Sequence, residues 1–332
     1  MSFTFQALVV RVSDDNNYTR SIEERSIDDL PKGEVLIRVH YSSLNYKDGL
    51  SCAGNRTVTR HYPHTPGIDA AGIVESSDSS AFKAGDPVVI ISFDLGANTA
   101  GGFGQFIRIP ADWVMPLPEG LSLRDSMIYG TAGYTAGLSI NLLQHCGVIP
   151  ECGPIAVTGA TGGVGSVSVA VLALLGYSVS ASTGKLNAEN FLKELGATEV
   201  IGRKAVNDES GRTLLKEVWA GAIDTVGGNT LVTLLKSCKR RGAVVSAGLV
   251  GSSKLPAATV FPFVLRGISL HGTGASETTM SMRREIWSKL AVEWKPDNLE
   301  HLAVDCKLEQ LDPEIDRILV GGQRGRVVVD MQ

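Results

Sequence analysis

The part of the chain best suited to chemistry is residues 158–185, TGATGGVGSVSVAVLALLGYSVSASTGK. Gly159, Gly162 and Gly165 fall in a G-x-x-G-x-x-G spacing, directly after PIAVT, which reads as a strand, and before GSVSVAVLALLG, which reads as a helix. Small residues at such a turn let the backbone approach a pyrophosphate, and the helix N-terminus offers unpaired N–H groups and partial positive charge. The commoner fingerprint is G-x-G-x-x-G, from which this spacing departs. Glycine clusters also mark plain strand-to-helix turns; the strand–helix alternations that follow favour a dinucleotide site.

The choice of dinucleotide rests on the end of the next strand. An NAD site usually places Asp or Glu there for the ribose 2′-hydroxyl. Here the chain reads SASTGK, without a carboxylate. Ser182, Thr183 and Lys185 offer hydroxyl donors and a cation suited to a 2′-phosphate, and Arg203 can add a second charge. NADPH is the expected cofactor. No metal is expected: no Cys pair is spaced C-x-x-C, and no H-x-x-x-H or H-E-x-x-H occurs. His61 and His64, in RHYPHT, read as surface-loop histidines rather than ligands. Neither a G-x-S-x-G elbow nor a well-placed Tyr-x-x-x-Lys is present. Hydride transfer needs no such constellation, because the cofactor carries the chemistry and the protein orients it.

The elements that must position these residues divide the chain in two. Up to about residue 120, QALVVRV, GEVLIRVHYSS, DAAGIVESS, DPVVIIS and FGQFIRIP alternate in the period-2 manner of strands, with turns at LPKG and FKAGD. Ser122 then reads as the N-cap of a helix. Beyond it come the strands PIAVTGA, YSVSAST, TEVIGR, AIDTVGG and GAVVSAG. Among them stand the helical stretches GSVSVAVLALLG, AENFLKELG, TLLKEVWA and TLVTLLKSCKRRG, the grammar of a parallel sheet covered by helices. After a last helix, TMSMRREIWSKLAVEW, the closing GRVVVDMQ reads as a strand that rejoins the first half, making the α/β part an insertion.

Composition narrows the class further. The 332 residues carry 31 basic and 35 acidic side chains, a net charge of −4 with no basic stripe, so nucleic-acid binding is not expected. No window reaches the roughly 18 apolar residues of a membrane span. The N-terminus lacks the features of a signal peptide. The five scattered cysteines suit reduced thiols, and a soluble cytoplasmic protein is expected.

Several stretches taken together resemble the medium-chain dehydrogenase/reductase superfamily: PGIDAAGIV (66–74), GGFGQF (101–106), GTAGYTA (130–136) and GATGGVG (159–165). Within it, SSLNYKDGL (42–50), VWAGAIDTVGG (218–228) and FPFVLRGISLHG (261–272) resemble the zinc-independent acryloyl-CoA reductase branch, many of whose members carry quinone oxidoreductase names. The resemblance implies an α/β fold: a GroES-like β-rich catalytic domain (residues 1–125 and 275–332) around an inserted Rossmann domain (126–274). Zinc alcohol dehydrogenases place a Cys where this chain has Asn45, and a His-Glu pair where it has Ile68 and Asp69. Their four-cysteine lobe has no counterpart between Ser92 and Gly104.

The implied reaction is NADPH-dependent reduction of an α,β-unsaturated carbonyl, most fittingly acryloyl-CoA, by hydride addition at the β-carbon and protonation at the α-carbon. Quinone reduction and a non-catalytic NADPH-binding role are the alternatives. The resemblance places LNYKD beside the nicotinamide, with Tyr46 as proton donor or orienting hydroxyl, and Asn45, Lys47 and Asp48 as further catalytic candidates; Lys47 and Asp48 can equally form a local ion pair. The implied cofactor contacts are Tyr46, Thr131, Gly162, Gly163, Val164, Gly165, Thr183, Gly184, Lys185, Arg203, Leu249 and Val264. Where the branch commonly has Ser-Gly-Arg in the 2′-phosphate loop, this chain has Thr-Gly-Lys, which keeps the charge and loses the guanidinium fork. Arg56, Arg60, His61, Arg283 and Arg284 are available as a basic entrance for a CoA phosphate. A homodimer is implied, with FPFVLRGISLHG supplying a sheet edge.

Overall fold

The computed structural model describes residues 3–185 and 187–332. They form two compact units, one comprising the chain up to Thr131 with Ser276–Ala291 and Leu299–Gln332, the other Ala132–Ala275 with Val292–Asn298.

The first unit begins with an antiparallel hairpin of β1 (Thr4–Val12) and β2 (Tyr18–Ser26). Then come β3 (Val35–Ser43), helix α1 (Tyr46–Cys52), β4 (Asp69–Ser77), β5 (Pro87–Ile91), β6 (Phe106–Ile109) and the two-residue β7 (Met115–Pro116). Helix α2 (Leu123–His145) starts where expected, since Ser122 Oγ accepts the Asp125 backbone N–H at 3.0 Å. Two features were not legible beforehand. YTRSIEERS forms β2 although most of its residues are polar and none is buried, with only Tyr18 and Ile22 packing on the core, so no apolar alternation marks it; its register comes from β1. LNYKD, which carries no helical pattern, opens α1.

The second unit is a parallel sheet: β8 (Ile155–Thr158), α3 (Gly163–Leu174), β9 (Val179–Thr183), α4 (Glu189–Glu194), β10 (Glu199–Gly202), β11 (Trp219–Asp224), α5 (Gly228–Ser237), β12 (Cys238–Ser246), α6 (Phe261–Arg266) and β13 (Ser269–Gly272). The strand order is β10-β9-β8-β11-β12-β13, so the winding reverses between β8 and β11, the place where doubly wound sheets take their ligands. TLLKEVWA is not a helix. Its backbone is drawn out along the end of α5, with Leu215 and Val218 N–H donating to the carbonyls of Lys236 and Ser237, and its last two residues open β11. The helix expected over TLVTLLKSCKRRG stops at Ser237, and CKRRG belongs to β12. FPFVLRGISLHG is divided between α6 and the edge strand β13.

The chain then returns to the first unit through α7 (Met280–Ala291), β14 (Ala303–Lys307), α8 (Leu311–Leu319) and β15 (Arg326–Asp330). The closing strand does rejoin the first half: β15 lies between β14 and β3 in a seven-stranded sheet of order β14-β15-β3-β4-β5-β7, to which β6 adds beside β3. The core beneath it includes Ile37, Val39, Leu44, Ile90, Phe103, Ile107, Leu311 and Val329, all buried. No helix among the described residues is long and apolar enough to cross a membrane.

Candidate active site

In the second unit the glycine turn is built by close approach. Gly159 has φ +58°, and a Cβ there would sit 2.2 Å from Thr225 Oγ1; a Cβ on Gly165 would sit 2.3 Å from the Gly159 carbonyl oxygen. Both positions exclude a side chain, so α3 starts hard against the turn. Gly162 is its N-cap, and Gly163, Val164 and Gly165 form its first turn, whose N–H groups have no intrahelical acceptor. The residues expected to meet a 2′-phosphate lie beside the end of β9. Lys185 N–H donates to Thr183 Oγ1 at 3.1 Å, and the Arg203 guanidinium lies over Gly184, where a Cβ would meet its Nε at 2.2 Å. The turn therefore fits an anionic dinucleotide, with no carboxylate at the end of β9 to repel an extra phosphate. Leu249 and Val264 are exposed apolar side chains of this unit. Leu249 lies close to Gly227, and Val264 sits on α6.

In the first unit, the positions at which zinc enzymes carry ligands hold a buried polar network. Asp69 is fully buried. Its Oδ2 accepts from Ser43 Oγ (2.6 Å), Asn45 Nδ2 (2.7 Å) and Thr131 N–H (2.9 Å), and its Oδ1 accepts from Thr131 Oγ1 (2.5 Å). Arg326, from the closing strand, lies 3.7 Å away. Its guanidinium donates to Ser43 Oγ (2.8 Å), Asn45 Oδ1 (3.1 Å) and the carbonyls of Leu44 and Ile128. The two charges thus meet largely through two neutral dipoles. Burial lowers the Arg326 pKa, while Asp69 and Asp48 act to raise it. The chain bends over this cluster at Gly130 (φ 50°, ψ −154°), where a Cβ would lie 2.3 Å from Asp69 Oδ2 and 2.9 Å from Arg326 Nη2.

This donor set does not fit zinc. Both amide hydrogens of Asn45 are committed, to Asp69 and to the Ser43 carbonyl. Ile68 offers no lone pair, and a guanidinium already neutralises the one carboxylate. Among the described residues, no three His, Cys, Asp or Glu side chains gather as a metal site.

The LNYKD residues separate into two kinds. Asp48 is fully buried and accepts the backbone N–H groups of Asn45 (2.8 Å), Gly67 (3.2 Å) and Ile68 (2.8 Å). Burial and the nearby Asp69 push its pKa to about 7, against the pull of those donors. Asn45 and Asp48 therefore brace the framework, and no Lys47–Asp48 ion pair forms. Tyr46, 40% exposed, and half-buried Lys47 keep their polar ends unengaged by any described residue. Thr131 is held by Asp69 and by Ser92 Oγ, 2.9 Å from its hydroxyl.

Two sequence expectations are corrected, those for Arg283 and His64. Arg56 is exposed, with its guanidinium over Tyr62 and donating to Tyr18 Oη and the Arg60 carbonyl. Arg283 is buried, with its guanidinium 4.0 Å from the Phe93 ring centroid and donating to the Ile91 carbonyl. Arg60, His61 and Arg284 remain exposed. His64 is no surface residue: it is buried, with Nε2 2.9 Å from the Gly96 carbonyl oxygen. Arg326, Ser43 and Ser92 escaped sequence reasoning altogether.

Residues 31–119 match the alcohol dehydrogenase GroES-like domain and residues 163–294 the zinc-binding dehydrogenase domain. With the two sheets and the glycine turn, they place the chain in the medium-chain dehydrogenase/reductase superfamily. YhfP of Bacillus subtilis, which carries a quinone oxidoreductase name, is 43% identical over 332 residues, the full length of both chains; its crystal structure with NAD bound superposes with a TM-score of 0.95 over 99% of each chain. The acrylyl-CoA reductase AcuI of Ruegeria pomeroyi is 43% identical over 98% of this chain and 99% of its own. Escherichia coli YhdH, crystallised with NADPH, is 38% identical with a TM-score of 0.95, over 98% of this chain and all of its own. The chain belongs to the acrylyl-CoA reductase and YhfP-type quinone oxidoreductase branch of that superfamily.

Proposed function

We propose that this protein is an NADPH-dependent, zinc-independent reductase of short 2-enoyl-CoA thioesters, with acryloyl-CoA as its substrate. One observation carries the reading: the dinucleotide cradle is intact while Asn45 and the Asp69–Arg326 pair fill the zinc position. Alcohol oxidation relies on a Lewis acid to acidify the hydroxyl; reduction of a conjugated double bond does not. The second unit holds the cofactor through the 159–165 turn, with Thr183, Gly184, Lys185 and Arg203 taking the 2′-phosphate. When bound, NADPH supplies the hydride that saturates the β-carbon.

The first unit supplies the remaining groups. Lys47 Nζ donates to the thioester oxygen as negative charge builds there, an interaction worth about 3 kcal/mol at an oxyanion. Tyr46 Oη delivers the proton to the α-carbon. Asn45 and Asp48 keep α1 in place, and the network through Thr131 fixes the Gly130 bend. The exposed Arg60 and Arg284 remain available for the CoA phosphates. The protein works as a cytoplasmic homodimer that pairs through the β13 edge, where Phe261, Val264, Leu265 and Leu270 stand exposed.

The test is NADPH oxidation at 340 nm with acryloyl-CoA, in parallel with NADH and a simple quinone, with and without EDTA. EDTA-insensitive turnover of acryloyl-CoA with NADPH is expected. Tyr46→Phe and Lys47→Ala should each lower kcat by about 10²-fold or more. Quinone turnover without thioester turnover would move the protein to the YhfP-like activity, and tight NADPH binding without either would leave a non-catalytic role.

A further inference from the structure

The ends of β8 and β11 are joined by a group of side chains that the reaction itself does not call on. Asp224, the last residue of β11, is fully buried and has no cation beside it. Its Oδ1 accepts Thr158 Oγ1 at 2.6 Å, and its Oδ2 accepts the Gly227 N–H at 2.7 Å. Thr158 is the last residue of β8, immediately before the glycine turn. The tie is reciprocal: Thr225 N–H donates to Thr158 Oγ1 at 3.1 Å, and Thr225 Oγ1 donates to the Thr158 carbonyl at 2.9 Å. That threonine hydroxyl is the atom against which Gly159 packs.

The same segment also carries the loop after β12. Ala247 N–H donates to the Asp224 carbonyl at 2.7 Å, and Gly251 N–H to the Val226 carbonyl at 2.8 Å. A Cβ on Gly248 would collide with the Thr225 carbonyl, 2.6 Å away, and one on Gly227 with the Ser252 carbonyl, 2.4 Å away. Residues 224–227 therefore touch the phosphate turn on one side and the Leu249 loop on the other.

We propose that Asp224 and Thr225 are positioning residues that hold the glycine turn and the Leu249 loop at one fixed separation, setting the span between the pyrophosphate and nicotinamide subsites. The proposal rests on the dinucleotide reading above. A buried carboxylate suits this task because it accepts several donors at once and cannot be replaced by solvent without opening the strand ends. The 2′-phosphate side hangs from β9 and Arg203 instead, and shares none of these hydrogen bonds. The cofactor's two ends should therefore respond differently when the clasp is loosened.

The experiment is direct binding by calorimetry of NADPH, of adenosine 2′-monophosphate as the 2′-phosphate end without the pyrophosphate, and of reduced nicotinamide mononucleotide, to the full chain. Thr225→Val removes the hydroxyl at constant shape; Thr225→Ser keeps it. Asp224→Asn places an amide N–H against the Gly227 N–H or the Thr158 hydroxyl. Asp224→Asn should weaken NADPH and the mononucleotide by about tenfold or more, the equivalent of one hydrogen bond to a charged group, and Thr225→Val by about fivefold, the equivalent of one neutral hydrogen bond. Affinity for adenosine 2′-monophosphate should stay within about twofold, and Thr225→Ser should behave as wild type. A parallel loss of adenosine 2′-monophosphate affinity, or a Thr225→Ser as impaired as Thr225→Val, would reduce the clasp to a fold element and overturn the proposal. Unchanged NADPH binding in Thr225→Val would overturn it too. If Asp224→Asn fails to fold, the two threonine variants decide alone. Wild-type protein that binds no NADPH would instead sink the functional reading, and this inference with it.

Discussion

Arg326→Met should destabilise the first unit by about 3–5 kcal/mol, the usual cost of leaving one member of a buried ion pair alone. The figure follows from the geometry. Arg326 and Asp69 lie 3.7 Å apart with side chains 2% and 0% exposed. At that distance, an effective dielectric of about 20 gives an attraction of about 4–5 kcal/mol. The loss should not exceed this range, because Asp69 keeps neutral donors from Ser43, Asn45 and Thr131. Asp69→Asn alone leaves the guanidinium buried and should cost a similar amount. The double variant removes both charges, so its cost should fall short of the two single costs combined by about 2–3 kcal/mol. Urea unfolding of the four proteins, followed by circular dichroism with m-values compared, gives the coupling. Additivity within about 0.5 kcal/mol would refute the reasoning, since Arg326 would then be acting only through its neutral hydrogen-bond partners.

Asp48, raised to about 7 by burial and Asp69, binds a proton in the folded state that the unfolded chain releases near pH 4. Its contribution to stability is full below about pH 4 and is lost as pH rises through about 7. The destabilisation of Asp48→Asn relative to wild type should therefore shrink between pH 4 and 8; a gap that widens over the same range in urea titrations would reverse the sign. Gly165→Ala, which puts a Cβ 2.3 Å from the Gly159 carbonyl, should force the backbone of the turn apart, weakening NADPH binding by about tenfold or more and lowering the melting temperature as well, as fluorescence titration beside a melting curve would show. Lys185→Ala with Arg203→Ala should erase the preference for NADPH over NADH, read as the ratio of kcat/KM values. Leu270→Pro, in the edge strand β13, should give monomers in sedimentation velocity with the parallel sheet otherwise retained.

Most of the fold was legible because its signals are local. A glycine turn between an apolar strand and an apolar helix, strands alternating with helices, and an N-cap serine at 122 all declare themselves within a few residues. The network at the zinc position does not. Asn45, Asp69 and Arg326 come from three distant parts of the chain, and the Arg326–Asn45 bond spans 281 positions. Nothing near Arg326 distinguishes it from a solvated arginine. Arg283 did leave a trace: it shares an i, i+3, i+4, i+7 stripe with Ile286, Trp287 and Leu290, all buried, whereas Arg284 points away. The TLLKEVWA segment misled because its apolar spacing suits a helix while its amides are taken by the end of α5.

The cluster beneath Gly130 also bears on how such a protein can change over many generations. Asn45→Cys alone would set a thiol beside a guanidinium, with an isoleucine where a second ligand must stand. Gaining a metal here would require changes at Asn45, Ile68 and Arg326 together. Each single step would leave a buried charge or polar group stranded, so the intermediates would fold poorly before any of them bound an ion. A metal-dependent form is closed off by the order in which substitutions would have to arrive, and new substrates are more readily gained through the exposed Tyr46 and Lys47.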